Sequence, residues 1–144
     1  MTAMIAFVDT SAFVPLFITD EPRDLIDSVF DEVETFACSR LASVEMTKVL
    51  RRREQAGQIS ASQGRRLAAA FEEWFSGCYV LDLNRAVARS ASAVIRRHGL
   101  KVADAVHLTT ALLIRDDSQE EVVFCTADLE LRAAAANEGF RTPT

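Results

Sequence analysis

The sequence predicts an α/β fold: three layers, α/β/α, around a mainly parallel sheet of four to five strands. Short apolar runs of strand-like composition recur along the chain and alternate with segments whose apolar residues repeat at helical spacing. That alternation implies parallel strands joined by helices, with the sheet covered on both faces. No repeat, low-complexity stretch or linker interrupts it, so residues 1–144 are read as a single domain.

Met4 to Val8 is uniformly apolar and reads as a buried strand, ending at Asp9-Thr10-Ser11 with a short helical stretch to about Phe17. Glu21-Pro22 opens a second helix, since proline suits a first turn, with Leu25, Ile26, Val29, Phe30 and Val33 as its apolar stripe. Thr35 to Ser39 is a second strand. A long helix runs from Leu41 to about Ala56 and stops at Gly57. Ser60 caps a further helix carrying Leu67, Phe71, Trp74 and Phe75, which Gly77 ends. Cys78 to Leu83 is a third strand. Asn84 caps a helix that closes at His98-Gly99. Val102 to Arg115 is helical and mostly apolar, hence largely buried. Glu121 to Thr126 is a fourth strand, Leu129 to Glu138 a last helix, and Phe140-Arg141 a stub of a fifth strand.

The charge is unevenly placed. The net value is −5, yet residues 40–66 hold seven basic side chains against two acidic ones, and residues 84–101 hold five basic and no acidic ones. Two such segments could meet a polyanion, although solvated helix faces look the same in sequence. No apolar stretch reaches the ~20 residues of a membrane span. The apolar segment from Ala3 to Ile18 is broken by Asp9 and preceded by no basic residue, unlike a signal peptide. A cytoplasmic protein is expected, with Cys38, Cys78 and Cys125 as buried reduced thiols, their spacing matching no zinc signature.

Ligands of open parallel sheets bind beyond the carboxyl ends of the strands. Asp9 directly follows the first strand and Asp128 follows the fourth after two small residues. Each alone reads equally as a helix N-cap. Glu45 lies between Leu41 and Val49 on a helix face otherwise fit for burial, where a carboxylate needs a partner; Lys48 or Arg52 could supply one. Asp104 falls near the start of an apolar helix, whose N-terminus favours its ionised form. If the four converge, each pair ~4–5 Å apart repels by roughly 3–4 kcal/mol at an effective dielectric near 20. Protons or a multivalent cation must then offset the repulsion, and all-oxygen ligands select Mg²⁺ or Mn²⁺. Such a centre activates water and clamps a phosphodiester.

Val8-Asp9-Thr10-Ser11-Ala12, Ala42-Ser43-Val44-Glu45, Ala103-Asp104-Ala105-Val106-His107-Leu108 and Cys125-Thr126-Ala127-Asp128 resemble the successive motifs of PIN-domain nucleases. Compact length and the His-Leu after the third acid make the chain most similar to VapC-type toxins of bacterial toxin–antitoxin pairs. The resemblance covers nearly the whole chain. It implies a PIN-like fold and a Mg²⁺- or Mn²⁺-dependent endoribonuclease, often homodimeric, silenced by a cognate antitoxin protein. It also implies Asp9, Glu45, Asp104 and Asp128 as acidic metal ligands, with Thr10 or Ser11 and Thr126 as supporting hydroxyls. His107, one turn after Asp104, could bond an acid or a phosphate, or could simply be a satisfied core histidine. Lys48 and Arg52 share a face with Glu45 and are expected nearest the RNA path.

Three other readings compete. A haloacid-dehalogenase-type phosphohydrolase needs a second acid two residues after the first, where this chain has Ser11. A receiver-like domain wants an acid pair before its phosphoacceptor and a late lysine, and neither is present. A non-catalytic PIN-like scaffold is the strongest alternative, and it would have no use for a metal.

Overall fold

A computed structural model describes residues 4–144, so the start of the N-terminal apolar segment at Ala3 lies outside the described residues. The strands are β1 (Met4–Val8), β2 (Thr35–Ser39), β3 (Tyr79–Leu81) and β4 (Glu121–Cys125), and every pairing between them is parallel. They lie in the order β3-β2-β1-β4. The expected fifth strand is a single parallel bridge, Val123 to Arg141, in which Phe124 N donates to Arg141 O at 2.9 Å.

β1 is central and buried along its whole length because helices cover both faces. Met4, Ala6 and Val8 pack with Cys38, Val123 and Cys125 beneath α1 (Thr10–Phe13), α2 (Asp24–Phe30), α3 (Leu41–Gln55) and α4 (Ala61–Ser76). Ile5 and Phe7 point the other way, with Ala37, Val122 and Phe124, beneath α5 (Arg85–His98), α6 (Val102–Ser118) and α7 (Leu129–Asn137). The period of two in β1 thus divides one strand between two cores, which is the expected three-layer α/β/α arrangement. Cys38 and Cys125 are buried and Cys78 is half-buried, all three as free thiols.

Most helix ends follow their side chains. Ser60 accepts from Gln63 N while Gln63 returns a bond to Ser60 N, a complete capping box. Asn84 accepts from Val87 N, and Gly99 closes α5 in the left-handed region at φ 66°. α2 departs from expectation. It starts at Asp24 rather than at Glu21-Pro22, because Glu21 N donates to Ile18 O at 3.2 Å and residues 19–22 form a turn. The helix also ends at Phe30, which is about half exposed, so Val33 lies beyond it while still packing against the core. β3 is also shorter than the apolar run around it, as befits an edge strand with one neighbour. No helix among the described residues is long and apolar enough to cross a membrane.

Candidate active site

The acids arrive from four places in the chain. β1 delivers Asp9 at its carboxyl end, as the N-cap of α1. One turn into α3 stands Glu45, and Asp104 occupies the first turn of α6. Asp128 follows β4 as the N-cap of α7, accepting from Leu131 N at 2.9 Å. All four line one cleft of about 430 Å³ at the carboxyl edge of the sheet, with Thr10, Ser11, Glu21 and His107. Capping and convergence are therefore not rival explanations for Asp9 and Asp128, because each does both.

Asp9 is only 5% exposed, and hydroxyls hold it. Ser11 Oγ donates to its Oδ1 at 2.7 Å, Thr126 Oγ1 to its Oδ2 at 2.6 Å, and Ala12 N to Oδ1 at 3.1 Å. Ser11 Oγ also accepts from Ala127 N at 2.9 Å, and Thr126 Oγ1 from Asp128 N at 3.1 Å. The ends of β1 and β4 are thereby laced together through two side-chain oxygens. Burial pushes the Asp9 carboxyl above its ordinary value; the bonds from Thr126 and Ser11 oppose this only in part.

Glu45 is held from two sides: Thr10 Oγ1 donates to its Oε1 at 2.7 Å, and His107 Nε2 lies 2.5 Å from the same oxygen. His107 is 2% exposed, and its Nδ1 is buried without a hydrogen-bond partner. A proton on Nε2 serves Glu45, and a lone pair without a donor on Nδ1 is cheaper to bury than an unmet N–H. Burial raises the Glu45 carboxyl, but His107, Thr10 and Lys48 together outweigh it and bring it below its ordinary value.

Asp104 makes no hydrogen bond to any described residue, and burial followed by the negative charges of Asp128 and Asp9 holds its carboxyl above the ordinary value. Among the described residues no three His, Cys, Asp or Glu side chains form a ready-made metal-ligand set. The chemistry of the donors nonetheless fits a hard divalent ion. Carboxylate oxygens crowd one cleft, Asp104 has nothing else to bind, and a cation would reverse the sign of the field that raises it.

Lys48 and Arg52 are exposed and do not line the cleft. At 100° per residue, Val49 stands about 40° and Arg53 about 80° from Glu45 in one direction, and Arg52 about 20° and Lys48 about 60° in the other. The cleft opens on the Val49 side, and there Arg53 pairs with Glu21 and, at 3.0 Å, with Asp20. The sequence reading did not single out Glu21. Its place depends on the path of a turn, and the only local signal was an arginine two helical turns beyond Glu45.

The family model for the PIN domain matches residues 6–137, which spans every residue of this cleft. The chain belongs to the PIN-domain family. It is 28% identical over 137 residues to Ribonuclease VapC45 of Mycobacterium tuberculosis, covering 95% of this chain and 93% of that one. Among solved structures, this PIN domain superposes on FitAcB from Neisseria gonorrhoeae with a TM-score of 0.68 at 15% identity, covering 96% of each chain. A toxin–antitoxin complex from Klebsiella pneumoniae gives 0.62 at 19% identity, covering 85% of this chain and 86% of that one. At such identities the two structures speak for the fold.

Proposed function

We propose that this PIN domain is a Mg²⁺- or Mn²⁺-dependent endoribonuclease, the toxin of a toxin–antitoxin pair. The observation that carries the reading is the convergence of Asp9, Glu45, Asp104 and Asp128 on one cleft at the carboxyl edge of a parallel sheet. The relative in Mycobacterium tuberculosis bears the name ribonuclease, and it is similar to this chain over nearly its whole length. The Klebsiella pneumoniae structure is a toxin–antitoxin complex, which supports a cognate antitoxin protein as partner. A homodimer acting in the cytoplasm as one domain completes the reading.

Asp9, Glu45, Asp104 and Asp128 would hold the ion, and the chemistry it would supply is positive charge at the phosphodiester. The protein's own groups set the geometry. Thr126 and Ser11 fix both oxygens of Asp9, so the carboxylate cannot rotate away. Thr10 and His107 fix Glu45. Asp104 and Asp128 would complete the set, Asp104 with no side-chain hydrogen bond to any described residue and Asp128 held through one oxygen by Leu131 N. Outside the cleft, the exposed Lys48 and Arg52 hold the RNA backbone.

The second reading is a PIN-like scaffold without catalysis, which would have no use for a metal. Growth separates the two. Induced without its antitoxin in a bacterial host, the protein should slow growth, and Asp9→Ala, Glu45→Ala and Asp104→Ala should each relieve the arrest. Their effects should not add, because ligands of one centre act as a unit. Arrest by Asp104→Ala as strong as by the unaltered chain, at equal expression, would contradict the assignment.

A further inference from the structure

A cleft built to take a polyanion should place a cation near the charge it binds, yet among the described residues no lysine or arginine lines the acid-lined cleft. Beside it lies a second hollow of about 410 Å³, which shares Ser11, Glu21 and Ala127 with the first. Among the described residues its one cationic side chain is Arg132, on the first turn of α7 beyond Asp128.

Arg132 differs from the other arginines near acids. Arg23, Arg40, Arg53, Arg97 and Arg141 are each paired with a carboxylate. Arg132, half-buried, makes no ion pair among the described residues. Its Nη2 donates to Thr126 O at 2.8 Å, while its Nε is buried without a partner. A guanidinium offers five donors, and a half-buried one without a counter-ion is costly to hold. Thr126 is also the residue whose hydroxyl fixes Asp9, so the guanidinium is anchored one residue from the catalytic acids. Of the two acidic side chains on the walls of this hollow, which Thr144 also lines, Glu21 is paired with Arg53 and Asp24 is exposed at the start of α2.

The geometry points to Arg132 as a phosphate subsite: it receives a phosphodiester of single-stranded RNA next to the one positioned over the four acids. This rests on the ribonuclease reading and adds to it a direction, with the strand entering the acid cleft past Ser11 and Ala127. Arginine suits the task because its fork can donate two parallel bonds to phosphate while Nη2 keeps Thr126 in place. The subsite positions substrate and performs no chemistry.

The test uses the Asp9→Asn protein and a mixed-sequence single-stranded RNA, with affinity measured across a salt series. Adding Arg132→Gln should reduce the slope of log affinity against log salt by about 0.7, the loss of one phosphate contact. Arg132→Lys should restore most of that slope, because the slope counts charge. In parallel, bound RNA should protect Arg132 from modification by an arginine-selective dicarbonyl, read by mass spectrometry on protein that keeps the arginine. The second arm stands even if Arg132→Gln fails to fold. An unchanged slope with a lowered melting temperature, or equal modification with and without RNA, would make Arg132 a strut for Thr126 and overturn the subsite. Failure of the Asp9→Asn protein to bind RNA at all would instead remove the ribonuclease reading, and the subsite with it.

Discussion

His107 Nε2 lies 2.5 Å from Glu45 Oε1, joining α6 to α3 across 62 residues of chain in the lining of the cleft. The imidazole is nearly solvent-free and stands edge-on to Phe7, their ring centroids 6.2 Å apart, so the central strand sets its position. An acid on one helix is thus aimed by a base on another, and the imidazole rests on β1 through Phe7.

Replacing His107 by Phe keeps the volume and removes the donor. Glu45 then loses a charge-assisted hydrogen bond at a poorly solvated position, worth about 1.5–3 kcal/mol. Denaturant titration should show a loss of that size, and cleavage should fall with it because Glu45 is no longer fixed. A variant as stable and as active as the unaltered chain would mean that Thr10 alone positions Glu45.

The metal-free protein should have a characteristic pH dependence. Asp9 and Asp104 sit above their ordinary values, so the folded state binds more protons than the unfolded chain just above the unfolded value of 3.8. That contribution is present at low pH and is lost as pH rises through their folded values. Glu45 has the opposite sign: its contribution is present above its unfolded value of 4.5 and is lost as pH falls through its lowered folded value. Asp9→Asn should therefore raise the melting temperature of metal-free protein near neutral pH and flatten its fall from acid to neutral. Destabilisation by Asp9→Asn at neutral pH would show that the bonds from Thr126 and Ser11 outweigh burial.

Much of this site could be read from sequence, and what could not was tertiary. Asp9 and Asp128 are legible because each follows an apolar run, and a strand end in a parallel sheet is a place before it is a residue. The Ser60–Gln63 box and Gly99 likewise declare their helix ends locally. Glu21 was invisible, since only the turn at residues 19–22 and the reach of Arg53 bring it to the cleft. Of the stripe assigned to α2, Leu25, Ile26, Val29 and Val33 meet the core and Phe30 does not, and Val33 does so from beyond the helix, whose end at Phe30 periodicity did not mark. For His107 the sequence left bond and core equally open; the fold gives it both at once.

Lys48 and Arg52 test whether the exposed face of α3 meets RNA although it does not line the cleft. In the Asp9→Asn protein, replacing both by Ala should weaken RNA binding and reduce the salt slope by ~0.7 per lost contact. Superimposable salt curves would assign this stretch to the antitoxin, to a dimer contact or to solvent.

The central claim is that four carboxylates and a divalent ion form one RNA-cutting centre, and single-turnover cleavage tests it most directly. Purified protein should cut single-stranded RNA with Mn²⁺ or Mg²⁺ and stop when a chelator is added. Asp9→Asn should cut at least ~100-fold more slowly while still folding and binding RNA, a loss typical of a group acting in the transition state. Cleavage that continues in excess chelator, or that Asp9→Asn leaves intact, would contradict the account.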